Sequence, residues 1–318
     1  MRALGLAAIN LDKICTVNTQ VPDVEEVVED LHILSKYEQE YCRDEGCRCY
    51  LCLGGSVVNT MYVLAKCNLE VHIFGRVGND PEGKFLLDKM NEFNMKFCGV
   101  VTPGPSGRTL VLSGIATRRI LVYPGVNDYL NSDDVDAVLS RDYKLVHTST
   151  FACTRGVGPL DAQVRVFREY VNSIKSFMFG SLYCKLLNFE KFKERILELM
   201  RLSNVVFLNR SEAEVVFSSI DIHSVRKFVE HSNISTICVT LGAEGVLVIN
   251  KNGKVIRRRP VSSNVVDVTG AGDAFAGGFL LGLVKGLDLE KCVELGLYAA
   301  ASCISSICGT GYVLKCET

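Results

Sequence analysis

The segment VVDVTGAGDAFAGGFLLGL (265–283) combines a carboxylate with a glycine-rich turn. An apolar run ends near Asp267, glycines follow at Gly270 and Gly272, and a helix of small and apolar residues is predicted to begin around Asp273. Backbone N–H groups at such a helix start bind anions, helped by the helix dipole. An aspartate there can accept a hydroxyl proton while the amides stabilise charge on a transferring phosphoryl group. The alternative is a turn that only allows close packing of the helix.

Residues 265–279 resemble the C-terminal signature of the ribokinase-like (PfkB) family of carbohydrate and nucleoside kinases. That family has the pattern D-T-x-G-A-G-D, and Val268 stands here where threonine is usual. The resemblance implies phosphoryl transfer to a hydroxyl with Asp273 as the catalytic base. The anion hole that it implies consists of Gly270, Ala271 and Gly272.

Two N-terminal segments extend the resemblance to the substrate side. Asp12 follows the first predicted strand and matches an aspartate that holds substrate hydroxyls in this family. The segment LGGSVVNT resembles the family's N-terminal signature, in which a glycine pair (Gly54, Gly55) lets the substrate approach the backbone and an asparagine (Asn59) hydrogen-bonds a hydroxyl. The alternatives are a strand-ending turn at Asp12 and a plain N-capping loop before the next helix.

A metal-ordering pair is implied in the C-terminal half. The segment LNRSEAE supplies Asn209 and Glu212, the family's N-x-x-E, which orders Mg²⁺ and phosphate largely through water. A nucleoside triphosphate carries negative charge that a metal must offset before another oxygen approaches. The alternative is that Asn209 ends a strand and Glu212 lies in the first turn of a helix, where its charge favours the dipole.

Two further loops are implied to contact the nucleotide. The turn VTLGAEG resembles the family's T-x-G-x-x-G phosphate turn, with a simple hairpin as the alternative, and its residues are Thr240, Gly242 and Gly245. Residues 298–311, which include Gly309, resemble the helix and loop that wall the adenine and, in many members, a monovalent cation such as K⁺. Carbonyl groups near Asp267 and Thr269 would share in that cation site.

One segment also fits the phosphate-binding P-loop. In FGRVGNDPEGK, Gly78 and the Gly83-Lys84 pair match G-x4-G-K. Phe85 follows, however, so the hydroxyl that would bind magnesium is missing and we reject this interpretation. Asp80 and Pro81 instead predict a helix start.

Short apolar runs alternate with helical patterns, which is typical of a largely parallel sheet covered on both faces. The predicted strands are residues 3–9, 71–75, 144–151, 204–208, 236–241 and 245–249. The predicted helices are residues 56–67, 82–93, 160–172, 189–202 and 273–285. Together with the resemblance, this predicts an α/β fold: a ribokinase-like three-layer α/β/α sandwich with a mostly parallel central sheet and a small β lid.

Two stretches break the alternation and are predicted to form the lid. Residues 13–50 are polar and irregular, and residues 108–124 alternate as an antiparallel hairpin half exposed to water. The large nucleotide- and substrate-binding domain is then residues 1–12, 51–107 and 125–318. We expect the lid to close over the substrate and exclude water, and its exposed strands to pair in a homodimer.

Composition and charge restrict the classes of binding partner that we expect. The 318 residues are 48% hydrophobic, which is enough for a large core, and the formal net charge of −1 leaves no basic footprint for nucleic acid. The first apolar stretch is interrupted by Asn10, Asp12 and Lys13, and no window is long and apolar enough for a membrane span. We therefore expect a soluble, cytoplasmic protein that acts on a small molecule, without nucleic-acid or membrane partners.

The 14 cysteines fall into two groups. Most occur singly in apolar runs and are predicted to be buried small hydrophobes, among them Cys67, Cys98, Cys238, Cys303 and Cys308. A second group with the spacing C-x4-C-x-C-x2-C lies in a charged segment and consists of Cys42, Cys47, Cys49 and Cys52. Free thiols, a disulfide of the kind found inside hyperthermophiles, and a four-thiolate zinc site all remain open for this group.

The predicted function is a small-molecule kinase that uses Mg²⁺ and ATP, or ADP as some members do, to phosphorylate a hydroxyl of a sugar or nucleoside. A sugar phosphate is the alternative acceptor if the arginines near the lid and pocket bind phosphate; these are Arg108, Arg118, Arg119 and Arg155. From another class, the chain could be a non-catalytic sugar or nucleotide sensor on the same fold. Asp273 with its glycines argues against a sensor, and the missing G-x-G-x-x-G after the first strand excludes a Rossmann oxidoreductase.

Overall fold

The computed structural model describes residues 1–43, 46–115, 117–151, 153–180, 189–219, 222–229 and 232–314. Its strands are β1 (Arg2–Leu6), β2 (Asn10–Thr16), β3 (Val24–Val27), β4 (Arg48–Gly54), β5 (Glu70–Phe74), β6 (Arg76–Gly78), β7 (Met95–Phe97), β8 (Val100–Thr102), β9 (Gly107–Ser113), β10 (Arg118–Tyr123), β11 (Leu145–Ser149), β12 (Ile174–Met178), β13 (Val205–Asn209), β14 (Thr236–Thr240), β15 (Val246–Asn250) and β16 (Val255–Arg258). Its α-helices are α1 (Leu31–Tyr41), α2 (Ser56–Lys66), α3 (Pro81–Glu92), α4 (Asp136–Leu139), α5 (Gly158–Glu169), α6 (Glu190–Leu202), α7 (Arg210–Phe217), α8 (Ile222–Val229), α9 (Ala271–Val284) and α10 (Leu289–Ile304). Short 3-10 turns are found at Gly125–Tyr129, Ser132–Val135 and Gly242–Glu244.

A nine-stranded sheet forms the centre of the fold, in the order β16-β15-β14-β13-β12-β11-β1-β5-β7. Neighbouring strands are parallel from β7 to β14, and β15 and β16 run antiparallel at one edge. Parallel neighbours require crossover connections, which the helices between the strands supply. The carboxyl ends of β1, β13 and β14 therefore lie at one edge of the sheet, where ligands bind in folds of this kind.

Apolar side chains cover both faces of this sheet and divide the core in two. Along β1, Ala3 packs into one half of the core, whereas Leu4 packs into the other. Helices α2, α3, α9 and α10 contribute to the first half, and α5, α6, α7 and α8 contribute to the second. This arrangement confirms the predicted three-layer α/β/α sandwich.

The predicted strands and helices are present with ends that differ by a few residues, and α3 begins at Pro81 with Asp80 as its N-cap. The prediction missed β12, a central strand, because Lys175 and Ser176 interrupt its apolar run. Both are buried and have partners: Lys175 Nζ donates to the Phe167 carbonyl (3.2 Å), and Ser176 Oγ lies 2.7 Å from His147 Nδ1.

A second sheet, in the order β3-β10-β9-β2-β4, contains the segments predicted to form the lid. Strands β9 and β10 are antiparallel, as the alternating pattern predicted. The stretch predicted to be irregular also contains α1, which packs Leu34 against Cys15 and Leu112 of the sheet. The sheet extends past the predicted boundaries, because β2 begins at Asn10 and β4 ends at Gly54. The division into two domains stays a prediction.

Strand β4 is an edge strand of this second sheet. Tyr50 and Leu51 on it are exposed (38% and 55%), so the predicted pairing of lid strands in a homodimer has an apolar edge available. That pairing stays a prediction. In the described part of the chain, every helix is too short or too polar to span a bilayer.

The disulfide alternative for the charged cysteine group holds for Cys49 and Cys52, whose partners both lie outside that group. Bonds join Cys15 to Cys49 and Cys52 to Cys308. Cys67 is also disulfide-bonded, so the prediction of buried single thiols was wrong for Cys67 and Cys308. Spacing cannot show such pairs, because the register of β2 and β4 places Cys15 opposite Cys49 only after folding. The free cysteines in the described residues include Cys98, Cys238 and Cys303, the last two buried as predicted, together with Cys42 and Cys47.

Candidate active site

Asp273 lies in the first turn of α9, after a glycine that the chain requires. Gly270 is in the left-handed conformation (φ 79°), and a Cβ there would lie 2.7 Å from the Cα of Gly309. Further along, a Cβ at Gly277 would lie 2.6 Å from the Thr60 carbonyl oxygen, so α9 can approach α2 closely only with glycine at this position. The close approach brings the first turn of α2 within reach of Asp273.

Two side chains of α2 hold the Asp273 carboxylate. Ser56 Oγ donates to Oδ1 (2.7 Å), and Asn59 Nδ2 donates to Oδ2 (2.9 Å). Burial raises the pKa of Asp273 to about 6, and the hydrogen bonds from Asn59 and Ser56 limit that rise. The residue keeps some exposed surface. The carboxylate of this half-buried residue is therefore oriented, and its pKa is close to the value that a general base needs near neutral pH.

The backbone beside Asp273 is open on one side. A Cβ built at Gly272 meets no atom within 4 Å. The first N–H groups of a helix have no partner within that helix, so an anion in this space can accept hydrogen bonds from the amides there. The Ala271 amide is partly used, because it donates to the Val268 carbonyl (3.2 Å). Of the predicted anion hole, Gly272 is thus the residue with the clearest access.

Asp12 lies in β2 and packs against the glycine pair. A Cβ at Gly54 would lie 1.9 Å from Asp12 Oδ2, and a Cβ at Gly55, which has φ 104°, would lie 2.1 Å from the Ala8 carbonyl oxygen. Any larger residue at either position would displace the Asp12 carboxylate or the chain between β1 and β2. The glycines therefore make room for protein groups as well as for a substrate.

The Asp12 carboxyl is buried and incompletely paired. Burial raises its pKa to about 7, a hydrogen bond from Thr109 lowers it, and the negative charge of Asp273 raises it further. The two carboxylates are therefore close enough for their charges to interact. Oδ1 of Asp12 has no hydrogen-bond partner in the part of the chain that the structure describes. An unpaired buried acceptor is costly, and a substrate hydroxyl would satisfy it.

Asn209 and Glu212 form a second group, at the carboxyl end of β13. Asn209 is the N-cap of α7 and accepts from the Glu212 amide (2.9 Å). Glu212 accepts in return from the Asn209 amide N–H and from its side-chain Nδ2, both at 2.8 Å. The capping interpretation of these residues is thus confirmed, and a role toward metal stays a prediction.

The predicted phosphate turn adjoins this group. Thr240 ends β14 and lies in register with Asn209 of β13. Gly242 has φ 58° and open space around its Cβ position, whereas a Cβ at Gly245 (φ 94°) would lie 1.9 Å from the Arg258 carbonyl oxygen. Gly242 can therefore admit a ligand to the backbone, and Gly245 is required by the turn itself.

Comparison with known proteins identifies the family of this chain. The family model described as pfkB family carbohydrate kinase matches residues 37–311. The chain belongs to the PfkB family. An uncharacterized sugar kinase of Archaeoglobus fulgidus is 36% identical over 245 residues, which cover 76% of this chain and 94% of that protein. Adenosine kinase of Saccharomyces cerevisiae is 29% identical over 281 residues, with 81% and 79% covered.

Solved structures agree on the fold of this PfkB kinase. Adenosine kinase from Sinorhizobium meliloti superposes with a TM-score of 0.83 at 23% sequence identity, over 98% of this chain and 96% of that one. The ribokinase-like fold is therefore confirmed. Membership in the family makes the chain a phosphotransferase with an alcohol group as acceptor, and kinases of this family use ATP as donor.

Sequence reasoning missed two residues that position the PfkB kinase site. Ser56, directly after the glycine pair, contacts Asp273, and its place at the first turn of a helix was the available signal. Asn127 is buried and fixes the start of β2: its Oδ1 accepts from the Ile9 amide (3.0 Å), and its Nδ2 donates to Asn10 Oδ1 (2.9 Å). Nothing in the sequence around Asn127 indicates this contact, which joins positions 118 residues apart.

Replacing Asp12 with asparagine is expected to stabilise the fold by about 1–3 kcal/mol near neutral pH. The carboxyl group ionises at about 7 in the folded chain against an ordinary pKa of 3.8, so the folded chain binds more protons than the unfolded one between these values. Stability of the wild type therefore falls as pH rises through that window, and the slope should be smaller in Asp12→Asn. Urea unfolding at about pH 5 and about pH 7.5 measures both; a variant less stable than wild type at the higher pH would contradict the prediction.

Proposed function

We propose that this PfkB kinase transfers the terminal phosphoryl group of ATP to a hydroxyl of a neutral sugar or nucleoside, with Asp273 as the base. The proposal rests on the Asp273 carboxylate, which two side chains hold at the open first turn of α9. A base within hydrogen-bond reach of the acceptor hydroxyl accepts its proton as the oxygen attacks. The helix amides then stabilise the charge on the moving group.

Asp12 is proposed to hold the acceptor. Its unpaired Oδ1 can accept a hydrogen bond from one hydroxyl while a second hydroxyl faces Asp273. Asn59 contributes to the same site through its own buried Oδ1, which also has no hydrogen-bond partner among the described residues. Binding through two hydroxyls orients the acceptor, and orientation supplies a large part of the rate in reactions of this kind.

The second sheet is proposed to close over this site as a lid. Asp12 belongs to that sheet, so any movement of the sheet relative to α9 changes the distance between the two carboxylates. Ile14 and Val111 on the same sheet pack near Ile307 of the C-terminal loop, which gives the closed position an apolar contact. Closure would exclude the water that competes with the acceptor for the phosphoryl group.

The residues fit a water-mediated magnesium site better than direct ligation. Glu212 is 4% exposed, and both its carboxylate oxygens accept hydrogen bonds from Asn209, which direct metal ligation would disturb. Outer-shell hydrogen bonding to metal-bound water needs no such change. When bound, Mg²⁺ supplies charge that offsets the triphosphate.

A K⁺ site is proposed beside the loop that precedes α9. Oδ2 of Asp267 is buried without a hydrogen-bond partner in the described ranges, while Oδ1 accepts from the amide and hydroxyl of Thr269. The amide of Val266 also donates to the Ile304 carbonyl (2.7 Å), so this loop is attached to the end of α10. An unpaired buried carboxylate oxygen fits a nearby cation.

The arginines favour a neutral acceptor over a sugar phosphate. Arg108 pairs with Glu82 (2.9 Å), and Arg119 pairs with Glu26. The guanidinium group of Arg155 lies over the Tyr129 ring, 4.9 Å from its centroid. Each of these partners competes with a substrate phosphate, since a carboxylate already neutralises the charge or a ring occupies the guanidinium face. Arg118 and Arg155 are the exposed members of the group.

The proposal is tested by a panel of acceptors assayed with Mg²⁺ and either ATP or ADP. Transfer to a neutral sugar or nucleoside, with kcat/KM well above that for any sugar phosphate, supports it. Preference for a phosphorylated acceptor would favour the alternative substrate class. Tight binding of sugars and nucleotides without any transfer would favour a non-catalytic sensor.

The pH dependence of kcat/KM should show an acidic limb set by the coupled carboxylates. Activity needs ionised Asp273, so kcat/KM is expected to rise with pH between the values of about 6 for Asp273 and about 7 for Asp12. Ser56→Ala removes a hydrogen bond that lowers the pKa of Asp273, which should move the limb upward by about 0.5–1 pH unit. The exposed Ser140, replaced by alanine, is the control. An unshifted limb in Ser56→Ala would show that Ser56 does not tune the base.

A further inference from the structure

Four cysteine sulfurs converge on the second sheet. Cys15 lies near the end of β2, Cys42 follows α1, Cys47 directly precedes β4, and Cys49 is the second residue of β4. All four sulfurs lie within 4.8 Å of one another. Cys15 is fully buried, and Cys42 and Cys47 are half-buried, so the cluster has a protected side.

The distances in this cluster match those of a tetrahedral metal site. Cys49 Sγ lies 3.8 Å from Cys42 Sγ and 3.7 Å from Cys47 Sγ. A zinc ion with four Zn–S bonds of about 2.3 Å separates its sulfurs by about 3.8 Å. Cys15 departs from this pattern, because its sulfur is bonded to Cys49 (2.05 Å).

We propose that, once the Cys15–Cys49 bond is reduced, these four cysteines bind one Zn²⁺ ion as a tetrathiolate site. A thiol or phosphine reductant supplies two electrons, and the two sulfurs become thiols. Binding of Zn²⁺ then releases the four thiol protons and forms four Zn–S bonds. The same sulfurs form either the disulfide or the zinc site, so the two states exclude each other.

The ligand set differs from the one that the sequence suggested. Cys52 was the fourth member by spacing, but it lies three residues after Cys49 on β4, and side chains an odd number of residues apart point to opposite faces of a sheet. On its face Cys52 reaches Cys308. Cys15 takes its place because β2 pairs with β4 in the register that sets Cys15 opposite Cys49.

A metal bound at this site would stabilise the second sheet. The core under α1 is small, and a metal would join the end of α1 to β2 and β4, which already pair with each other. Soft thiolate ligands select zinc over the Mg²⁺ that the reaction uses.

The test measures metal on the full-length chain. Protein reduced with a phosphine is supplied with Zn²⁺, freed of excess metal by gel filtration, and its zinc content measured by mass spectrometry. We expect about one ion per chain, a higher Tm than the metal-free reduced chain, and on replacement with Co²⁺ the visible absorption of a tetrahedral tetrathiolate. Cys42→Ser and Cys47→Ser should each bind much less zinc, whereas Cys52→Ser should bind as much as wild type.

Three outcomes would overturn the proposal. The reduced wild type would retain no zinc, or its Co²⁺ complex would lack tetrahedral thiolate absorption, or Cys52→Ser would lose as much zinc as Cys47→Ser. The Co²⁺ spectrum of the wild type decides the question even if a variant fails to fold. Phosphoryl transfer is not the readout, so this result is independent of the proposed function.

Discussion

Asp273→Asn is expected to lower kcat by about 10²–10⁴-fold while ATP still binds. Asparagine keeps the shape of the side chain, but its amide cannot accept the hydroxyl proton and offers only one oxygen to the two donors, Ser56 and Asn59. The amides of the first turn of α9 are unchanged, so nucleotide binding should remain near that of wild type. Steady-state kinetics with the best acceptor of the panel, together with calorimetric titration of ATP, measures the two effects.

Asp288→Asn is the matched control for this prediction. Asp288 is also an aspartate at a helix start, where it caps α10, but it is exposed, and among the described residues no hydrogen bond joins it to Asp273. Its replacement should leave kcat unchanged. Wild-type turnover in Asp273→Asn would remove this residue as the base, whatever the fold.

Gly272→Ala, in the same turn, should lower activity without lowering stability. A methyl group at this position meets no protein atom within 4 Å, and alanine is the better helix former by about 1 kcal/mol, so the variant should be as stable as wild type or more stable. The methyl group would, however, occupy the space in which the transferring group contacts the amides. We expect kcat to fall by about 10²-fold, comparable to the loss of one oxyanion-hole donor.

Thermal unfolding and kinetics of two glycine variants check this prediction. Gly277→Ala, on the same helix, is the comparison, because its Cβ would lie 2.6 Å from the Thr60 carbonyl oxygen and should destabilise the packing of α9 on α2. Relative to wild type, the Tm of Gly272→Ala should thus be unchanged or higher, whereas the Tm of Gly277→Ala should be lower. A fully active Gly272→Ala would mean that the open space beside Asp273 is not the path of the phosphoryl group.

Local patterns predicted the parts of the site that depend on local structure. Gly270 and Asp273 were predicted as site residues because neighbouring residues indicate both a glycine-rich turn and a helix start. The same is true of Asn209 and Glu212, where the capping alternative proved correct as local structure. The order of the strands and helices around these residues was also predicted from the sequence.

Contacts between distant segments could not be predicted in this way. The hydrogen bond from Ser56 to Asp273 spans 217 residues, and it depends on how closely α9 approaches α2. The bond between Cys15 and Cys49 depends on strand register, which spacing along the chain does not fix. Strand β12 was missed because Lys175 is buried through a contact to α5 that only the folded chain provides.

The two carboxylates show how the site trades stability for activity. Asp12 is buried and Asp273 is half-buried, and the charge of Asp273 raises the pKa of Asp12. Ionised carboxylates in such a place destabilise the folded chain, and the fold tolerates them because substrate hydroxyls and the reaction need them. The expected gain in stability of Asp12→Asn and the expected loss of turnover in Asp273→Asn are two consequences of this arrangement.

A crystal structure with a non-hydrolysable ATP analogue and the preferred acceptor tests the role of Asp273 most directly. We predict an acceptor hydroxyl within about 2.6–3.2 Å of an Asp273 carboxylate oxygen, on a line toward the terminal phosphate at the first turn of α9. An acceptor bound with every hydroxyl beyond reach of Asp273, while Ser56 and Asn59 still hold that carboxylate, would contradict it.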